Sequence, residues 1–187
     1  MKFISFIAAS LILFSCHQRT ETVKEATKNL KTGNTKIGKK FFEYDEIEYY
    51  TNAIDEENIE KLYDNQSKSV LDSLKMGVIL GEIPTSISDL VFIDQLGKFG
   101  YQKFSIDKSK FREVDAIFVE KVKNEGVVSA CIYVYRDILI FKKKNKVVGI
   151  AKICFGCNAL HITGTKAHTQ NFGENGDYEK LAKLLGK

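Results

Sequence analysis

The chain has 187 residues, of which 44% are hydrophobic and 28% charged, with a single proline; this is the balance of a folded domain and excludes a disordered tail or a fibre. At roughly 150 residues per domain there is material for one core. The 28 basic and 24 acidic residues leave a formal net charge of +4, spread too evenly for a nucleic-acid groove, so no nucleic acid is expected as a partner.

The first element is an address. Lys2 is followed by an uncharged run from Phe3 to Ser15 and then Cys16. A permanent membrane span takes about 20 apolar residues, so this short run reads as a secretion signal that is removed. Leu13-Phe14-Ser15-Cys16 resembles the lipobox of bacterial lipoproteins. That resemblance implies cleavage before Cys16, acylation of its sulfur and an anchor in the membrane. At about 0.8 kcal/mol per buried methylene, two or more acyl chains hold a protein there durably. His17, with no Asp at the second mature position, implies by the same resemblance the outer membrane, facing the periplasm. From there to Lys40 the chain is polar and basic, a flexible tether. The organisation expected is a signal peptide over 1–15, a lipidated cysteine and tether over 16–40, and a single globular α+β domain over 41–187.

Phe42, Tyr44, Ile47 and Tyr49 alternate as in a half-buried strand with an irregularity near Asp45, and Glu43, Asp45, Glu46 and Glu48 read as its solvated acidic face. Asp55 followed by Glu56 and Glu57 predicts a capped helix carrying Ile59, Leu62 and Tyr63 inward. A second helix is expected from Ser69 to Met76, ending near Gly77, and a turn from Gly81 to Pro84. A third is expected from Ser88, with Leu90, Val91, Ile93, Leu96 and Phe99 inward and Gly100 at its exit. A fourth starts at Asp107, with Phe111, Val114, Ile117 and Phe118 as a core stripe. Val127 to Phe141 and Val147 to Phe155, joined by the polar turn from Lys142 to Lys146, predict a long β-hairpin. A further strand over Ala159–Thr163 and a short helix near Asp177–Leu185 close the chain. The fold class is α+β: several N-terminal helices packed on a C-terminal antiparallel sheet built on the hairpin, with both sheet faces apolar enough to need cover.

Three cysteines remain in the domain: Cys131 in the first hairpin strand, and Cys154 and Cys157 in Cys-Phe-Gly-Cys at the end of the second. A turn centred on Lys144 and Asn145 pairs residues whose numbers sum to 289, placing Ile132 opposite Cys157 and Cys131 beside it. A c-type haem would need histidine where Asn158 stands, and a thioredoxin-like site would need the pair at a helix start. Four readings stay open: a structural disulfide, a metal site such as zinc or copper completed by His161, thiol-redox chemistry, and inert thiols. Asn158 tolerates the positive φ of a tight turn after the second cysteine. His168 reads as a bystander, and Arg136-Asp137 as a surface ion pair or bulge. No Gly-x-Ser-x-Gly elbow, His-Glu-x-x-His or phosphate-cradling loop occurs, so no catalytic residues are expected.

Cys131, Tyr135-Arg136-Asp137-Ile138-Leu139-Ile140-Phe141, Asn145-Lys146-Val147-Val148 and Ile153-Cys154-Phe155-Gly156-Cys157 together resemble a group of small bacterial proteins with no assigned activity, over about 30 residues. The resemblance implies that the three cysteines and the hairpin form one unit. The function expected is that of a membrane-anchored, periplasm-facing binding or structural module with an envelope protein as partner, rather than an enzyme. The alternative is a metal-binding or thiol-redox protein using Cys131, Cys154 and Cys157.

Overall fold

The computed structural model describes residues 38–122 and 131–187. The expected signal peptide, Cys16 and the tether up to Ile37 lie outside the described residues, as does the hairpin segment Val127 to Ala130. Lys39 and Lys40, expected in the tether, already belong to the folded body: Lys40 bridges to Val119, and its Nζ meets Asp115 at 2.7 Å.

Five strands form one antiparallel sheet: β1 (Glu46–Asn52), β2 (Tyr101–Ser105), β3 (Asp137–Lys143), β4 (Lys146–Cys154) and β5 (Ala159–Thr163), in the order β2-β1-β3-β4-β5. Among the described residues four helices cover it: α1 (Glu56–Asp64), α2 (Val70–Ile79), α3 (Phe111–Ile117) and α4 (Asp177–Leu185). Side chains alternate across the pleat, so the sheet builds two cores. Ile47, Leu139, Phe141 and Ile153 face α3 and α4, together with Phe42 and Phe118. Tyr50, Ile138, Ile140 and Ile150 face α1, α2 and the segment around Phe92 and Leu96. The fold is therefore α+β with helices on both faces. Among the described residues no helix is long and apolar enough to cross a membrane.

The helix starts follow their caps. The Asp55 carboxylate accepts from the Asn58 amide at 2.9 Å, and Ser69 and Asp72 close a capping box on α2. Tyr63, expected inward, is 67% exposed. Helix α2 runs past Gly77 to Ile79, because Gly77 sits in the helix as a contact point: a Cβ there would lie 2.5 Å from Ile83 Cδ1.

The helix expected from Ser88 does not form. Only one 3-10 turn, Ile93–Gln95, is present; Phe92, Leu96 and Phe99 are buried while Val91 is 70% exposed. The Ser88 hydroxyl pairs with that of Ser86 at 2.8 Å instead of capping a helix. Three apolar residues at helical spacing can be buried by successive tight turns as well as by a helix. Gly100, at φ 96, then turns the chain into β2, an edge strand the sequence does not announce because only Tyr101 in it is buried.

The hairpin is shorter than expected. Lys144 and Asn145 adopt positive φ values of 50 and 62, the geometry of a two-residue turn matched to strand twist. Lys142 faces Val147 but Phe141 faces Gly149, so Val148 is an extra residue and the register changes there. Beyond this bulge the paired numbers sum to 290, from Phe141–Gly149 to Asp137–Ile153, rather than the expected 289. Strand β3 begins only at Asp137; residues 131–136 form a strap without strand pairing, with Ile132 78% exposed.

Candidate functional site: the cavity beside the Cys131–Cys157 disulfide

After β4 the chain makes a single 3-10 turn, Phe155–Cys157, and Asn158 at φ 47 and ψ 50 sends it back as β5. The left-handed conformation expected of Asn158 is thus used to reverse the strand. The turn carries Cys157 out of the sheet to Cys131, with which it forms a disulfide across a Cα–Cα distance of 6.0 Å. Cys131 does not arrive along a strand ladder, as the expected register has it. It arrives on the strap, whose far end is pinned by four hydrogen bonds, one of them from the Asn52 amide to the Arg136 carbonyl at 2.8 Å. The Tyr135 amide donates to the Ile79 carbonyl at 2.8 Å, the Tyr101 hydroxyl to the Tyr135 carbonyl, and Arg136 Nε to the Ile54 carbonyl at 2.9 Å.

Cys154 is a free thiol, buried at the end of β4. His161 lies on β5 opposite Lys152, and its Nε2 is 2.9 Å from the Pro84 carbonyl oxygen. Burial lowers the imidazole's pKa below its ordinary value, with the Pro84 contact opposing that effect. Of the four residues weighed as metal ligands, two are covalently joined and His161 is turned to a backbone carbonyl. Among the described residues no group of three or more His, Cys, Asp or Glu side chains converges on a point that could hold a metal. The zinc or copper expectation has no donor set here.

Next to the disulfide lies an open cavity of about 640 Å³, within the size range of small-molecule sites. Cys157 and Gly156 form one wall, and Leu160 and Ile162 of β5 its apolar floor. Tyr133 of the strap, Phe172 and Tyr178 contribute rings, and Phe172 and Tyr178 meet edge-to-face at 5.1 Å. Asn158, Thr169 and Gln170 add neutral polar groups. The loop carrying Thr169 to Phe172 is fastened beneath: the His168 amide donates to Glu120 Oε1 at 3.0 Å, and Asn171 Nδ2 to the Lys121 carbonyl at 3.0 Å. Lys121 and the fully buried Asp177 make an ion pair at 2.9 Å at the start of α4. His168 thus takes part through its backbone.

Three other polar groups differ from the sequence expectation. Glu48 is buried, not solvated: its Oε1 meets Lys103 and Lys142 at 2.5 Å each. Burial alone would raise its carboxyl, but the two ammonium groups outweigh this and hold it below the usual value. Asp137 is not part of a surface pair with Arg136; it is buried, accepting from the Tyr49 hydroxyl at 2.6 Å, with Lys187 Nζ at 3.0 Å. Lys152, which the sequence reading passes over, is fully buried in mid-strand. Its Nζ donates to the Val78 and Gly81 carbonyls at 2.9 and 2.7 Å and stands 4.5 Å over the Tyr135 ring. It satisfies backbone acceptors at the end of α2 that have no partner within the helix. Burial brings its pKa down to about 7, only partly offset by Glu82. The one available signal was a lysine between Ala151 and Ile153 in the otherwise apolar run from Val147 to Cys154.

Glu48, Asp137 and Lys152 are each committed to internal partners and lie outside the cavity walls, which offer rings, an aliphatic floor and uncharged hydrogen-bonding groups. No family model matches the chain, and neither a curated protein nor a solved structure similar to it was found.

Proposed function

We propose that the chain is a lipoprotein of the cell envelope, acylated at Cys16 and anchored at the outer membrane facing the periplasm, whose α+β domain is a binding module rather than an enzyme. The observation that carries the binding role is the open cavity of about 640 Å³ walled by the Cys131–Cys157 disulfide. A disulfide in that position fits an oxidising compartment, as the lipobox-like Leu13-Phe14-Ser15-Cys16 implies. An envelope protein remains the partner class for the anchored domain. Cys16→Ala is expected to move the protein from the membrane to the soluble fraction on cell fractionation; retention in the membrane would sink the anchor. For the cavity, ligand-observed NMR with small neutral fragments is expected to show binding that Gln170→Trp, placed at the exposed rim, abolishes. Fragment binding untouched by that change would put the site elsewhere.

Thiol-disulfide exchange is a second reading, favoured by the free Cys154 three residues from Cys157.

A further inference from the structure

We infer that the cavity beside the disulfide takes an uncharged, hydroxyl-rich ligand, a small saccharide; this rests on the reading of that cavity as a binding site.

Among the described residues that line the cavity there is no Lys, Arg, Asp, Glu or His side chain. A phosphate, carboxylate or ammonium ligand would leave water there without a counter-charge, which is strongly unfavourable. A purely apolar ligand fails for the opposite reason. No described residue is hydrogen-bonded to the side chains of Asn158, Thr169 or Gln170 or to the hydroxyls of Tyr133 and Tyr178. Tyr178, 6% exposed as a residue, brings its phenol ring to the cavity wall. Outside the cavity Glu48 is matched to two lysines, Asp137 to Tyr49 and Lys187, and Lys152 to two carbonyls, while Thr163 Oγ1 is buried without a hydrogen-bond partner among the described residues. An apolar occupant would strip water from these five groups and return nothing.

What remains is a neutral ligand with many donors and acceptors and an apolar face. A pyranose ring has this character, with C–H bonds across its faces and hydroxyls around its edge. The rings of Tyr133 and Phe172 offer flat apolar surfaces, and the amides and hydroxyls lie among them. The cavity volume suits a ligand of disaccharide size.

The test uses the full chain in detergent micelles and saturation-transfer NMR, with dissociation constants from titration. The probes are cellobiose and N,N′-diacetylchitobiose as neutral disaccharides, glucuronic acid and glucosamine as charged sugars, a capped trialanine as a neutral peptide, and phenol as a small aromatic fragment. A neutral disaccharide is expected to bind saturably. Tyr133→Ala and Gln170→Ala, both at accessible positions, are expected to weaken it by about tenfold or more. Phe104→Ala, an exposed ring outside this cavity, is expected to leave it unchanged. Charged sugars binding as well as neutral ones, or the peptide binding in their place, would overturn the saccharide assignment. If phenol binds and is lost in Gln170→Trp while no disaccharide binds, the ligand class is wrong and the cavity stands as a site. If none of the probes binds, both readings fall.

Discussion

Lys152 is the residue whose environment departs furthest from its type. An ammonium group fully buried in a strand is costly, and the two carbonyls at the end of α2 return part of that cost. With a folded-state pKa of about 7 against 10.5 ordinarily, the unfolded chain holds one more proton than the folded one throughout the interval between. Stability therefore rises with pH across that interval, and below about 7 the group's contribution is flat and at its least favourable. Relative to Lys152→Met, the wild-type protein is expected to gain about 2 kcal/mol between pH 7 and 9, read from chemical denaturation at the two pH values. Parallel curves for the two proteins would show that the amine stays protonated in the fold. None of this was legible beforehand, because a lysine in a strand ordinarily marks a solvent face, and only the approach of α2 from above decides otherwise. Glu48 misled for the same reason, as its two lysine partners come from β2 and β3, 55 and 94 residues away.

Among the elements, those with local signals were legible. Asp55 and Ser69 announce α1 and α2 through hydrogen bonds within four residues, and β5 and α4 match their expected spans. The helix expected from Ser88 and the unannounced β2 show the limit. Apolar spacing alone does not distinguish a helix from a chain of tight turns, and an edge strand with one buried residue carries no alternation to read. The hairpin sits between these cases: its turn and strands were legible, its bulge was not. That bulge places Gly149 under the Phe42 ring, where an added Cβ would come within 2.1 Å of Cε1. The ring is itself held against Phe141 at a centroid distance of 4.5 Å and has little room to withdraw. Gly149→Ala is expected to cost about 1–3 kcal/mol in thermal or chemical unfolding, and a neutral result would mean that the ring yields.

At the scale of the molecule, the cavity draws on four stretches of chain: the strap at Tyr133, the turn and strand from Gly156 to Ile162, the loop from Thr169 to Phe172, and Tyr178 on α4. The sequence pointed to the cysteine hairpin and so to one wall; the others come together only once α4 is docked, and no spacing rule links them. The disulfide closes a separation of 26 residues. Its loss in Cys157→Ala is expected to cost roughly 3–4 kcal/mol by loop-closure entropy, seen as a lower Tm with the secondary structure retained. Unchanged stability would shift weight from a staple to an exchangeable bond. The strand order has its own consequence. Strand β1, near the start of the domain, is flanked by β2 and by β3, whose pairing with it reaches from Glu46 to Lys142, and one of the two cores closes only with Leu181 and Leu184. A chain delivered N-terminus first cannot complete its sheet until β5 has emerged, nor seal that core until Leu181 and Leu184 follow. Strands β1 and β2 therefore stay open, threadable and in need of protection from aggregation until these later segments arrive.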